Sequence, residues 1–188
     1  EIYGGSYGEG PQNEIQRTHA SISEQFPVTP HSTYGVAKAA VDSYVQTAWR
    51  ERKTPCIALR QFNCCGERET HPYIVPEIIS QLSKQLNDNR MPTEYEAPPK
   101  EKATVHLGNN SFRDFLYAGD QAKITVELLE RGSFGEVYNL GSESGVKMYD
   151  LAKLIGKLMG FADVQVVEDE ARRRPYEIWH LQSDNSKI

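Results

Sequence analysis

Apolar residues recur along the chain with two spacings, one typical of amphipathic helices and the other of short buried strands. From Gly35 to about Arg52 the helical spacing predicts a helix, which Pro55 ends. The same reasoning predicts further helices and strands. The helices cover about 76–86, 119–131 and 148–159, and the strands 56–62, 104–107, 112–117, 136–140 and 164–167. Strands that alternate with helices are typical of an α/β protein with a parallel sheet.

The remaining stretches show no sustained period. Residues 1–33 and 87–103 are rich in glycine, proline and polar side chains, so we expect loops there. The helix predicted over 148–159 has an amphipathic pattern with a clear apolar stripe. We expect the buried stripe of this helix to consist of Leu151, Leu154, Ile155 and Leu158.

Composition limits the class of protein. The 188 residues are 38% hydrophobic and 25% charged, which is typical of a globular protein that needs no membrane. A net charge of −5 lacks the excess of basic residues that is typical of a nucleic-acid-binding protein. No apolar run approaches the ~20 residues of a membrane span, and no signal peptide opens the chain. Its three cysteines form neither a disulfide framework nor the spacing of a zinc site, so we expect a cytoplasmic protein without a metal.

Tyr34 and Lys38 are the first candidates for chemistry, since they lie four residues apart at the start of a predicted helix. This spacing puts both side chains on one helical face, where the ammonium group favours the ionised form of the phenol. Such a tyrosine is suited to act as a general base. Tyr149 and Lys153 repeat the spacing, but they lie inside the amphipathic helix of 148–159, and we interpret them as structural.

Six segments share their order and pattern with one known family. They are Glu1 to Gly4, Thr29 to Lys38, Arg60 to Gly66, Arg113 to Asp120, Tyr138 to Gly141 and Arg174 to Lys187. Together they resemble the motifs of the extended short-chain dehydrogenase/reductases that modify nucleotide sugars: epimerases, 4,6-dehydratases and decarboxylases. Cys65 stands where this family has a tyrosine, which we interpret as an exchange in packing.

The resemblance implies the C-terminal part of a Rossmann-like doubly wound parallel sheet and a small α/β substrate-binding subdomain. Residues 1–66 would form the catalytic half of the Rossmann-like domain. Residues 67–188 would mainly bind the nucleotide sugar, with 112–131 returning to the sheet. The family's glycine-rich phosphate loop and its catalytic serine or threonine would lie upstream of Glu1. We therefore expect an internal segment of a longer protein.

The resemblance also implies roles for three residues in catalysis with NAD or NADP. Tyr34 would take the proton of the sugar 4-hydroxyl while the cofactor does the redox chemistry, and Lys38 would hold the nicotinamide ribose. Glu1 stands where dehydratases and decarboxylases carry a glutamate, and it would remove the C5 proton once C4 is a ketone. Many epimerases have a small or hydroxyl residue at this position.

Four further residues match positions that bind the nucleotide sugar in this family. Arg113 and Arg174 resemble the arginines that clamp the diphosphate, a task that suits the planar guanidinium. Asn63 resembles the residue that bonds the diphosphate or the sugar. Asn139 is either another ligand or a cap at the end of a strand. Residues 69–77 occupy the place where the family's substrate-binding loop begins.

These features favour a nucleotide-sugar 4,6-dehydratase, with a 4-epimerase or uronate decarboxylase of the same family as the alternative. A different class also fits the missing glycine-rich loop: a truncated, non-catalytic fragment that binds a nucleotide sugar or pairs with another chain. The family resemblance implies a homodimer, and a fragment would instead pair with a chain that supplies the missing N-terminal half. An isolated 188-residue fragment should not turn over alone.

Overall fold

The computed structural model describes residues 1–4, 6–7, 18, 20–70, 72–86 and 102–188. These residues form two compact units, each assembled from separate stretches of the chain. The first unit consists of Glu1–Glu67, Ser111–Val146 and Pro175–Ile188, and the second of Arg68–Asn110 and Lys147–Arg174. Residues 132–146 and 175–188, which the sequence interpretation groups with the substrate-binding portion, lie in the first unit.

The part of the chain that the structure describes contains four complete α-helices, a 3₁₀ helix at Glu170–Arg172 and ten short strands. The helices are α1 (Thr33–Arg52), α2 (Ile74–Gln85), α3 (Ala118–Arg131) and α4 (Met148–Leu158). The first five strands are β1 (Ser6–Tyr7), β2 (Ala58–Gln61), β3 (Asn63–Cys65), β4 (Ala103–Leu107) and β5 (Phe112–Tyr117). The others are β6 (Val137–Leu140), β7 (Gly145–Lys147), β8 (Val164–Glu168), β9 (Tyr176–Glu177) and β10 (His180–Leu181).

Parallel pairing dominates the first unit. β2 pairs β6 with Arg60 opposite Asn139, and β5 lies between β3 and β10. β1 and β9 pair antiparallel, with Ser6 opposite Glu177. The α/β class with parallel sheets expected from the sequence is confirmed.

One apolar cluster of the first unit joins segments that are far apart in the sequence. Its buried members are Ile2, Tyr3, Ile22, Phe62, Ile178 and Leu181, and Phe26 and Ala39 pack against it. Burial of apolar surface is the main stabilising term in folding. The cluster therefore holds Ile2 and Tyr3 against α1, the residue after β2 and the C-terminal segment 178–181.

The second unit is a parallel pair, β4 and β8, against which α2 and α4 pack. Ile78 and Leu82 of α2 are fully buried. Two glutamines of the same helix cover the edge of β4 that faces away from β8. Gln81 bonds both the N–H and the C=O of His106 at 2.7 and 3.0 Å, and Gln85 does the same at Thr104 with distances of 2.9 and 2.7 Å. The helical i,i+4 spacing thereby matches alternate residues of a strand.

The buried stripe expected for α4 is wrong in part. Leu154 and Leu158 are 51% and 78% exposed, whereas the inward face consists of Met148, Ala152, Ile155 and Gly156. The physical reason is close packing, since a Cβ on Gly156 would overlap the side chain of Val164 on β8. Small residues at the contact let the helix approach the strand, and this turns the large leucines outward.

Among the described residues, no helix combines the length and apolar character needed to cross a membrane. The same residues contain no group of three or more histidine, cysteine or acidic side chains placed to hold a metal ion.

Candidate active site

The N-terminus of α1 is fixed by a serine cap and a buried glycine. Ser32 Oγ accepts a hydrogen bond from the Gly35 N–H at 2.9 Å, which satisfies one of the free donors of the first helical turn. Gly35 is the buried residue of α1. A Cβ there would lie 3.0 Å from the Pro30 side chain and 3.1 Å from the Glu1 carbonyl oxygen. The absent side chain at Gly35 thus lets the helix start pack tightly against Glu1.

Tyr34 and Lys38 project from the same face of α1, as the spacing predicts. Both side chains are exposed, and Lys38 Nζ lies 5.4 Å from the centre of the Tyr34 ring. They form one wall of a cleft of about 380 Å³ that lies within the first unit. The lining also includes residues 57–62, which contain β2, and the first three residues of the chain.

Glu1 lines the same cleft and is held by two hydroxyl groups. Ser32 Oγ and Tyr176 Oη both donate to Glu1 Oε2, each at 2.8 Å. Charge-assisted hydrogen bonds of this kind are roughly twice as strong as neutral ones. The structure therefore brings Glu1, Tyr34 and Lys38 to one cleft, although Glu1 is more than thirty residues from the other two along the chain.

Arg113 lies on β5 and is almost enclosed. Its Nη2 donates to Glu177 Oε1 at 2.6 Å, and its Nη1 donates to the Phe112 carbonyl at 2.9 Å. The side chains of this ion pair are 12% and 10% exposed. A carboxylate of the first unit thus already neutralises the guanidinium that the sequence assigns to the diphosphate.

The two asparagines assigned to the ligand differ in their hydrogen bonding. Asn63 Oδ1 on β3 is buried and has no hydrogen-bond partner among the described residues. An unpaired buried acceptor costs about 1–3 kcal/mol, so a donor from a ligand would be favourable there. Asn139 is fully buried, and its side chain accepts from Tyr3 Oη and donates to the Ile22 carbonyl, both at 2.6 Å. Its side chain is therefore committed to contacts within the protein.

Arg174 belongs to the second unit and differs from the two arginines before it. Arg172 pairs with Glu77 at 2.6 Å, and Arg173 pairs with Glu168 at 2.8 Å. Arg174 is exposed and has no ion pair among the described residues. Of three successive arginines, it is the one whose charge is left for an external anion.

Three residues near these positions were not singled out from the sequence. Tyr176 and Glu177 hold Glu1 and Arg113, and Asp114 binds the backbone after β6. All three fall inside segments that carried the family resemblance, but a motif does not show which distant residue a side chain contacts. The cap of α1 at Ser32 was not predicted either, although serine is a preferred residue at this position of a helix.

The residues present at the cleft fit a nicotinamide cofactor in one respect. The Tyr34 hydroxyl and the Lys38 ammonium are exposed hydrogen-bonding groups on one helical face, which suits the hydroxyl groups of a ribose. Within the described residues, these two side chains would hold the nicotinamide end of the cofactor.

Residues 2–141 match the NAD dependent epimerase/dehydratase family, and the chain belongs to this family. It is 28% identical over 159 residues to human dTDP-D-glucose 4,6-dehydratase, covering 85% of this chain and 38% of the relative. It is also 28% identical over 192 residues to the mouse dTDP-D-glucose 4,6-dehydratase, covering 100% of this chain and 47% of the relative. The chain therefore spans less than half the length of these curated relatives.

Solved structures show the same fold. The dTDP-glucose 4,6-dehydratase of Bacillus anthracis in complex with NAD has a TM-score of 0.72 at 20% identity, covering 99% of this chain and 50% of that one. RMD from Pseudomonas aeruginosa complexed with NADPH has a TM-score of 0.75 at 20% identity, covering 99% and 55%. The Rossmann-like fold expected from the sequence is confirmed. The family is NAD-dependent, in agreement with the cofactor that the motifs implied.

Proposed function

We propose that this chain carries catalytic and nucleotide-sugar-binding residues of a nucleotide-sugar 4,6-dehydratase. The observation that carries the proposal is the presence of Glu1, Tyr34 and Lys38 in a single cleft of the first unit. The similarity to proteins named dTDP-D-glucose 4,6-dehydratase supports it from a separate direction.

Each of these three residues has a chemical task in the proposed reaction. Tyr34 takes the proton of the sugar 4-hydroxyl as C4 is oxidised to a ketone, and Lys38 binds the nicotinamide ribose. The ketone makes the C5 proton acidic, and Glu1 removes it. The electron pair of the broken C5–H bond forms the C5–C6 double bond as the C6 oxygen leaves as water, with a proton that balances the one accepted by Tyr34. C5 regains its proton from Glu1 when the double bond is reduced. NAD, when bound, would supply the redox chemistry of the reaction by taking up and giving back the hydride of the sugar.

Contacts to the nucleotide sugar are assigned to residues with unsatisfied polar groups or an available charge. Asn63 offers a buried acceptor, and Arg174 offers an exposed guanidinium. Arg113 is proposed as a third contact, in which the diphosphate shares the guanidinium with Glu177. Asn139 is left out of this set because its amide is already bonded inside the protein. Its contacts favour the cap-like structural role.

Dimerisation through α1 is part of the proposal. Val36 and Tyr44 on this helix are 56% and 72% exposed, which is unusual for apolar side chains of a helix on a sheet. Analytical ultracentrifugation of wild type and Tyr44→Glu tests it. A dimer that the substitution weakens would support the contact, whereas a wild-type monomer would refute it.

The test of function is product analysis with protein expressed from its complete natural coding sequence. Incubation with NAD and a panel of dTDP-, UDP- and GDP-sugars should yield one nucleotide sugar that is lighter by one water and carries a 4-ketone. A product of unchanged mass with inverted C4 would identify a 4-epimerase, and loss of carbon dioxide from a uronate would identify a decarboxylase. Absence of any product would favour the non-catalytic alternative.

A further inference from the structure

Two hydroxyl groups from distant parts of the first unit meet on one oxygen atom of Glu1. Ser32 reaches Oε2 from the start of α1, and Tyr176 reaches it from β9, both at 2.8 Å. Two donors on a single carboxylate oxygen restrict the rotation of the whole group, because turning it would break both bonds. The carboxylate is therefore fixed by contacts at two sides.

The contact through Ser32 relates Glu1 to the helix that carries Tyr34. Ser32 Oγ donates to Glu1 while it accepts from the N–H of Gly35, the residue that follows Tyr34. The backbone of Gly35 also approaches the Glu1 carbonyl closely enough that an added Cβ would lie at 3.1 Å. These contacts therefore fix the position of Glu1 relative to the first turn of α1.

Tyr176 lies on β9, and the residue that follows it, Glu177, anchors this strand. Glu177 is buried, forms the ion pair with Arg113, and accepts a hydrogen bond from the Ile178 N–H at 2.9 Å. Successive side chains of a strand point to opposite faces. On β9, Tyr176 therefore holds Glu1 on one face and Glu177 holds Arg113 on the other. β9 pairs β1 through its backbone, which adds a further restraint.

We infer that Tyr176 is a positioning residue that holds the carboxylate of Glu1 in place for removal of the C5 proton. This inference rests on the proposed function, in which Glu1 is the base. Proton transfer requires the base at hydrogen-bonding distance from the proton that it takes. A misplacement of about 1 Å can lower a rate by roughly 100-fold. Tyr176 acts through Glu1 and is not itself assigned a contact with the sugar.

The test uses Tyr176→Phe in the protein expressed from its complete natural coding sequence. The rate of C5–H exchange for deuterium in the 4-keto-6-deoxy product isolates the step assigned to Glu1. We expect the exchange rate and kcat to fall by about 10-fold to 100-fold with KM unchanged. A purely structural tyrosine would lower the amount of folded protein and leave the exchange rate per folded molecule unchanged.

Two further variants separate loss of the hydroxyl from damage to the fold. Ser32→Ala removes the second donor and should also slow the exchange, whereas Ser32→Thr keeps a hydroxyl and should restore it. Tyr117→Phe is the matched control, because the Tyr117 hydroxyl donates to the carboxylate of Glu67 at 3.0 Å and lies outside the cleft lining. Its exchange rate should equal that of wild type.

Glu1→Gln distinguishes failure of the inference from failure of the proposed function. If Glu1→Gln abolishes exchange but Tyr176→Phe keeps the wild-type rate, the positioning role is overturned and the base remains. If Glu1→Gln leaves exchange intact, the proposed function is overturned at this residue. Side-chain NMR relaxation of Glu1 tests positioning without turnover: order parameters should fall below about 0.6 in Tyr176→Phe. Equal order parameters in both proteins would also overturn the inference.

Discussion

Asp114 offers the sharpest prediction about what holds the first unit together. It is fully buried, and its carboxylate accepts hydrogen bonds from the backbone N–H groups of Ser142, Glu143 and Ser183 at 2.7, 3.1 and 2.9 Å. The hydroxyl groups of both serines donate to it as well. One carboxylate thus joins β5 to the turn after β6 and to the segment after β10.

The hydrogen bonds determine the protonation state of this group. Burial alone would raise the pKa of Asp114, but the bonds from Ser142 and Ser183 hold it below its ordinary value. A depressed pKa in the folded state stabilises the fold above the pKa of the unfolded chain. This stabilisation is lost as the pH falls through the folded-state pKa.

Asp114→Asn replaces one acceptor oxygen by an NH₂ group that faces donors. A hydrogen bond to a charged group contributes about 1.5–3 kcal/mol, and the amide oxygen of asparagine can retain the bonds of one carboxylate oxygen. We therefore expect a loss on the order of 3 kcal/mol in the free energy of unfolding at pH 7, or roughly 100-fold in the folded-to-unfolded ratio.

Urea unfolding of both proteins across pH 7 to pH 3 measures this loss. The difference in free energy of unfolding between the two proteins should shrink below about pH 4, because protonation of the Asp114 carboxylate then removes the stabilisation that asparagine lacks. Asp184→Asn is the matched control, since its partly exposed carboxylate is bonded only locally by Ser186. It should cost less than about 1 kcal/mol. A loss at Asp114 that is equally small, or independent of pH, would show that the ionised Asp114 carboxylate does not stabilise the fold.

Three further predictions concern packing and hydrogen bonds. Replacing Gln81 and Gln85 by alanine frees the two β4 peptide groups that they bond, so hydrogen exchange at those amides should accelerate. Unchanged exchange would show that the glutamines do not cover the edge in solution. Gly135→Ala would place a methyl group against the Trp49 ring at a positive φ, and we expect a loss of about 2 kcal/mol or more in urea unfolding; wild-type stability would contradict this packing. Arg60→Met deprives the half-buried Asp42 carboxylate of its bidentate partner and leaves it the bond from Gln46, so the free energy of unfolding should fall by about 3 kcal/mol; a loss below about 1 kcal/mol would contradict this role.

The regular elements could be predicted because their signals are local. The helix expected from Gly35 begins at Thr33, two residues earlier, because Ser32 is its cap. The strand expected over 112–117 is β5 with the same bounds. Two-residue strands such as β9 have no period to detect, and their place is decided by distant partners. The exposed Leu154 and Leu158 show that residue size alone does not decide which helical face is buried.

The residues of the candidate site also differ in whether a local sequence signal could identify them. Tyr34 and Lys38 could be found from their spacing, because residues four apart in a helix share a face. Glu1 could be assigned only through the family resemblance. Its partner Tyr176 lies 175 residues away, so no local rule connects them. The hydrogen bonds of Asn139 also join distant segments, which is why the sequence left its role open.

Mass spectrometry of the nucleotide sugar after a single turnover by Glu1→Gln tests the role of Glu1 most directly. The reaction contains NAD and protein expressed from its complete natural coding sequence. If Glu1 removes the C5 proton, this variant should oxidise C4 but not eliminate water. The trapped sugar would be two hydrogen atoms lighter than the substrate and would keep its C6 hydroxyl. The 4-keto-6-deoxy product formed at the wild-type rate would contradict the assignment of Glu1 as the base that removes the C5 proton.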